Sequence, residues 1–164
     1  RLIELIHRAI PYPVILLTTD DAGVTISAAH KRRALNDAAR VVLDGVVLAS
    51  GMRPDAPDEN EQAFLQSLAI AKQPRRDLHA LYEGWIARIE ALTAARLSGS
   101  FATTDDADAI ERRRNALEAA NQITRQIVTL RAQSNREKQI SRRVDLNVKI
   151  QRLEADLASQ KKNL

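Results

Sequence analysis

The sequence predicts an α+β fold, and three observations lead there. Two short β-rich runs, Val14-Ile15-Leu16-Leu17-Thr18 and Val24-Thr25-Ile26-Ser27, stand near the start, with the turn residues Asp20-Asp21-Ala22-Gly23 between them. Helical periodicity takes over after residue 60. From Asp105 to Leu164 there is neither Gly nor Pro. The expected architecture is a small, mainly antiparallel sheet with an opening helix, followed by a helical hairpin and a long C-terminal coiled-coil-like helix.

The opening helix rests on Leu2, Ile3, Leu5, Ile6 and Ile10 at helical spacing, and Pro11-Tyr12-Pro13 ends it because proline lacks an amide donor and biases its predecessor toward extended geometry. No capping residue precedes Leu2, so the expectation is a chain that begins inside a helix, with an upstream segment holding part of the core. The unbroken apolar character of Val14 to Thr18 suggests burial on both faces, hence a central strand with that upstream segment or a later strand beside it. Residues 40–48 read either as one further strand or as a tight hairpin about Asp44-Gly45. Residues 50–60, rich in Gly, Pro, Asp and Asn, form a loop.

A short helix from Glu61 to Ala71 follows, broken at Gln73-Pro74. A stronger one starts at Asp77, with Leu78, Leu81, Tyr82, Trp85, Ile86, Ile89 and Leu92 on one stripe and Gly99 placed to stop it. Asp105-Asp106-Ala107-Asp108 supplies an N-cap and first-turn acids for the final arm. At 1.5 Å per residue a single helix of that length would span about 87 Å, too long to stand without a partner for its apolar side. Ile123, Ile127 and Leu130 set a seam, Ser134 to Gln139 interrupt it, and Ile140, Val144, Leu146, Ile150, Leu153 and Leu157 resume it. The economical arrangement folds helix 77–98 back on the first half of the arm and leaves those six distal residues as a partner interface, for another protein or for self-association through the coiled coil. The chain thus divides into an α+β module at 1–52, truncated at its N-terminus, a loop and helices at 53–104, and a long basic helical arm at 105–164.

Composition limits the function classes. Cysteine is absent, which removes disulfide scaffolds, thiolate metal sites and cysteine nucleophiles and suits a reducing, cytoplasmic setting. The longest β-rich apolar run falls far short of the roughly 20 residues that cross a bilayer, so no membrane association is expected. The net charge of +4 is uneven: residues 1–106 carry 12 Lys/Arg and 14 Asp/Glu, while 107–164 carry 13 and 7. A basic arm of this kind is the footprint of nucleic-acid or acidic-partner contact, and also of an ordinary solvated helix.

The blocks Ile10-Pro11-Tyr12-Pro13-Val14-Ile15-Leu16-Leu17, Ala28-Ala29-His30-Lys31-Arg32, Leu78-His79-Ala80-Leu81-Tyr82-Glu83-Gly84-Trp85 and Arg136-Glu137-Lys138-Gln139-Ile140 with Leu146-Asn147 stand in order along the chain. In these it resembles domain-of-unknown-function family 4391. The resemblance implies a bacterial or archaeal source, an upstream segment, and a genomic setting beside helicase and DNA-methyltransferase genes of restriction-like defence islands, with no activity to carry over.

Two basic groups are candidate nucleic-acid contacts: His30, Lys31, Arg32 and Arg33 after the second strand, and Arg136, Lys138, Arg142, Arg143 and Lys149 about the polar break in the arm. Each also reads as a solvated charged surface. A restriction-type nuclease needs acids on adjacent strands with a nearby lysine, but Asp20 and Asp21 sit in a turn and neither strand carries Glu-x-Lys or Asp-x-Lys. His7, His30 and His79 lack ligand spacing, and no Gly-rich phosphate loop occurs, so neither metal nor cofactor is expected. Tyr82 and Trp85 could stack bases or pack in the core. The leading expectation is a non-enzymatic accessory subunit of a DNA-handling, restriction-like or phage-defence assembly, docking through its arm onto a protein such as a helicase or methyltransferase. The alternatives are direct nucleic-acid binding and, behind it, a nuclease completed upstream.

Overall fold

The computed structural model describes residues 2–164 and has the α+β architecture. It resolves into two compact units, 1–105 and 106–164.

The first unit begins with α1, Leu2–Ala9. Strands β1, Leu16–Asp20, and β2, Gly23–Ala28, form a hairpin over a two-residue turn in which Asp20 pairs with Gly23. Gly23 is required there twice over. Its φ is +137°, and a Cβ would stand 2.3 Å from the Met52 carbonyl oxygen on the neighbouring strand. Strand β5, Leu48–Met52, lies antiparallel on the other side of β2, giving the order β1-β2-β5.

β2, not β1, therefore holds the centre among the described residues. Its Ile26, Ser27 and Ala28 are buried, whereas Leu17 on β1 is 62 % exposed. Small side chains at Ser27 and Ala28 let other elements close over both faces of β2, a fit that the bulkier β1 run does not have.

Two further strands stand at the basic group after β2 and at the start of residues 40–48. β3, Lys31–Ala34, pairs with β4, Asp37–Leu43, in a separate two-stranded sheet. Residues 40–48 are neither one strand nor a tight hairpin. Leu43 pairs with Lys31 while Leu48 pairs with Ala28, so the chain changes partner across Asp44 to Val47. Gly45, at φ +84°, lies in that crossover.

Helix α2, Glu59–Ser67, starts at a capping box in which Asp58 accepts from the Glu61 amide and Glu61 reaches back to the Asp58 amide. Helix α3, Leu78–Ser98, is capped by Asp77 and stopped by Gly99 at φ +96°. Its stripe is fully buried only from Ile86 onward, and Leu78 is exposed. Ile86, Ile89 and Leu92 meet Ile26, Ala28 and Met52 from the sheet and Phe64 from α2 in one core, so residues 1–52 and 53–104 share their interior. Phe64 and Phe101 pack edge to face, centroids 6.1 Å apart. Arg88, 4 % exposed, donates to the Gly84 and Lys72 carbonyls and to Asp105 at 2.8–3.1 Å.

The second unit corrects the expected arm. It is two helices, α4, Ala107–Arg136, and α5, Ile140–Lys161, antiparallel and packed along each other. Ser134 meets Asn147 and Arg131 meets Glu154, which fixes the direction. No Gly or Pro makes the break. The polar run around 134–139 offers no apolar side to bury, while folding back buries both halves of the seam at once. Glu137 and Gln139 are extended, and the Glu137 carboxylate accepts the Gln139 amide at 2.9 Å. No helix among the described residues is long and apolar enough to cross a membrane.

Candidate nucleic-acid interface

The first basic group is largely tied down. Lys31 at the head of β3 donates its ammonium to the Ile10 and Tyr12 carbonyls, fastening the proline-bounded segment that leads into β1. Burial lowers its pKa. His30 donates Nδ1 to Glu83 on α3 at 3.0 Å, and Arg32 pairs with Asp44 at 3.2 Å. Arg33 alone of the four is exposed with no side-chain partner among the described residues. Alternation along β3 sends neighbouring side chains to opposite faces, so the group does not converge on one phosphate.

The second group is different. Arg136 ends α4, Lys138 lies in the connection, and Arg142, Arg143 and Lys149 stand on the first three turns of α5. All five are exposed, and none makes an ion pair among the described residues. Arg136, Arg142 and Lys149 line one open depression, where Glu137 and Asp145 also face them. Between residues 131 and 149 there are six Lys/Arg and two acids. The turn joins two helix termini, so its cations come from separate elements and spread across the end of the hairpin. That geometry suits a run of phosphates better than a single small anion.

The six distal seam residues divide. Ile150 is buried and Leu146, Leu153 and Leu157 are half-buried, spaced 4-3-4 on the side of α5 turned to α4. Ile140 is 72 % exposed and Val144 53 %, and with Val148 they form a 4-4 row on the opposite side of the helix. That change of spacing is readable in the sequence, since a 4-4 row rotates away from a 4-3 seam.

His7 and the aromatic residues Tyr82 and Trp85 act structurally. His7, 1 % exposed on α1, shares a 3.1 Å hydrogen bond with Ser27, whose hydroxyl is 3.4 Å from the Leu16 carbonyl. Burial, then the charge of Lys31, lowers the His7 pKa. His79 is exposed. Asp20 closes the β1–β2 turn and accepts the Ala22 amide. No group of three His, Cys, Asp or Glu residues able to hold a metal occurs among the described residues. Trp85 donates to the Leu68 carbonyl at 3.0 Å, and the Tyr82 hydroxyl reaches Val14 and Ala29, so both rings point into the protein. Sequence patterns carry no signal for the Lys31 and Tyr82 contacts, because each joins segments far apart in the chain.

Among known proteins, a family model described as a domain of unknown function (DUF4391) matches residues 1–157. No curated protein and no solved structure matches.

Proposed function

The chain belongs to the DUF4391 family, a domain of unknown function, and from that premise we propose that it is a non-enzymatic interaction module of a DNA-handling assembly whose helical hairpin carries a basic turn to nucleic acid. The observation behind this reading is the set of five exposed cations, Arg136, Lys138, Arg142, Arg143 and Lys149, that make no ion pair at the turn among the described residues. Several other arginines are paired: Arg32 with Asp44, Arg88 with Asp105, Arg96 with Glu61 and Arg131 with Glu154. Exposed cations spread over the end of the hairpin attract a polyanion, and releasing its condensed counterions supplies the driving force. Because the contacts are to phosphate, the module binds without reading sequence, and selectivity for a site belongs to its partners. The restriction-like or phage-defence setting, and a cytoplasmic location, complete the proposal.

A protein-docking reading has its own support in the exposed Ile140, Val144 and Val148 row, which an amphipathic helix of a helicase or methyltransferase partner would cover.

Fluorescence anisotropy with a short duplex separates the two. The nucleic-acid reading expects binding that weakens steeply with salt and is much weaker in the triple variant Arg136→Ala, Arg142→Ala, Lys149→Ala, while Val144→Lys binds at least as well. Absence of binding by the wild-type chain at low salt removes the reading.

A further inference from the structure

Among the described residues no strand pairs with the outer edge of β1, and we propose that it pairs with β1 of a second copy of the chain, in an antiparallel arrangement with a twofold axis through Leu17. The register fixes which groups are available. Asp20 and Gly23 flank a two-residue turn and must exchange both hydrogen bonds, so by alternation Leu16, Thr18 and Asp20 bond inward to β2. The main-chain N–H and C=O of Leu17 and Thr19, and of Ile15 just before the strand, point away from β2.

The two edges of this sheet are treated differently. On β5 the outward residues are Ala49 and Gly51, and the Gly51 carbonyl receives the Arg96 guanidinium. Among the described residues nothing does this for Leu17 or Thr19. Edge strands are ordinarily protected by charge, proline or a bulge. Val14 to Thr19 contain no charged residue and no proline, and the β1–β2 register runs without a shift. α3 packs over β2 and β5, leaving Leu17 62 % exposed on the same face of the sheet as Ile26.

A second copy fits this edge by symmetry. An axis through Leu17 sets Leu17 against Leu17 and Ile15 against Thr19 of the other copy, and all three residues are outward-directed, so no slip is needed. The two Leu17 side chains then cover each other on the uncovered face. Asp20 falls beyond the paired stretch, which keeps like charges apart. Head-to-tail growth of β1 onto β5 is opposed by Arg96 at Gly51, so the pairing closes at two chains.

Analytical ultracentrifugation of the whole chain, in a dilution series up to about 100 µM, tests this. The expected result is reversible association to twice the 18.2 kDa chain mass. Leu17→Lys, which places an edge charge where no neighbour is disturbed, should weaken association by about tenfold or more while keeping the wild-type circular dichroism spectrum. Leu35→Lys, at an apolar side chain that is also exposed, should leave association unchanged. Amide exchange adds a site-specific readout, with Leu17 and Thr19 slowing as concentration rises. A chain that stays monomeric throughout, a dimer indifferent to Leu17→Lys, or dimerisation without slower exchange at Leu17 and Thr19 would each overturn the proposal.

Discussion

Replacing Tyr82 by Phe removes one oxygen and nothing else, and that oxygen joins three segments. It accepts the Ala29 amide at 3.2 Å and lies 3.0 Å from the Ala29 carbonyl and 3.1 Å from the Val14 carbonyl, with one proton to serve both. Ala29 is 1 % exposed, so water does not replace the lost partner. The ring remains, so there is no cavity term. What is lost is the net value of a neutral hydrogen bond plus the cost of leaving a buried amide unpaired, together about 2 kcal/mol. In a unit of this size that corresponds to about 10 °C in Tm. Trp85 is the only tryptophan, and its indole sits against the Leu68 carbonyl in the same unit, so its fluorescence follows urea unfolding there directly. The expected result is a lower midpoint with an unchanged m-value. Tyr82→Ala should lose more, since it also opens a void. A Tyr82→Phe variant within about 0.5 kcal/mol of wild type would refute the reasoning.

His7 makes stability depend on pH. Burial holds its pKa in the fold below the ordinary imidazole value of about 6.5, so its stabilising contribution is complete above that value and is lost as pH falls through it toward the folded pKa. Urea midpoints of wild type should drop between about pH 7.5 and pH 5, and those of His7→Gln should drop less; parallel curves would count against it. Gly23→Ala combines a strained φ with a collision against the Met52 carbonyl and should cost at least about 2 kcal/mol. Gly51→Ala, whose Cβ would meet only Thr25 Oγ1 at 3.6 Å, should stay within about 1 kcal/mol in the same titration. For the basic turn, five phosphate contacts imply a slope of log K against log salt of about −4.5, falling to about −1.8 in the triple alanine variant. An unchanged slope would place the contacts elsewhere.

Elements governed by neighbours in the chain were legible in the sequence, and those governed by distant ones were not. The β1–β2 hairpin, the Asp77 cap and the Gly99 stop depend on local turn and capping chemistry, and each stands where that chemistry puts it. β3 was hidden because Lys31-Arg32-Arg33 reads as a charged turn, and it becomes a strand only by pairing with β4. The arm was read as continuous because helix-breaking residues are absent. What ends α4 is the burial gained when α5 folds back, a tertiary energy with no local marker beyond the polar run itself. In the candidate site the basic residues were all visible as letters. Which of them would be paired was not, because Glu83 and Asp44 reach His30 and Arg32 from other elements.

Ser134 is buried and holds Asn147 at 2.9 Å near the turn end of the contact between α4 and α5, beside a seam of aliphatic side chains. Leucine and isoleucine at regular intervals make a surface that matches itself again after each step of seven residues, a displacement of about 10.5 Å along the helix. The serine and asparagine act as an index mark on that scale, since any such step would take Asn147 away and leave the buried Ser134 hydroxyl against hydrocarbon. The length of α5 on either side of the mark then sets how far the turn extends, so deleting or inserting seven residues in α5 beyond Ile150 would change the hairpin's base and leave its basic end, Lys149 included, unaltered.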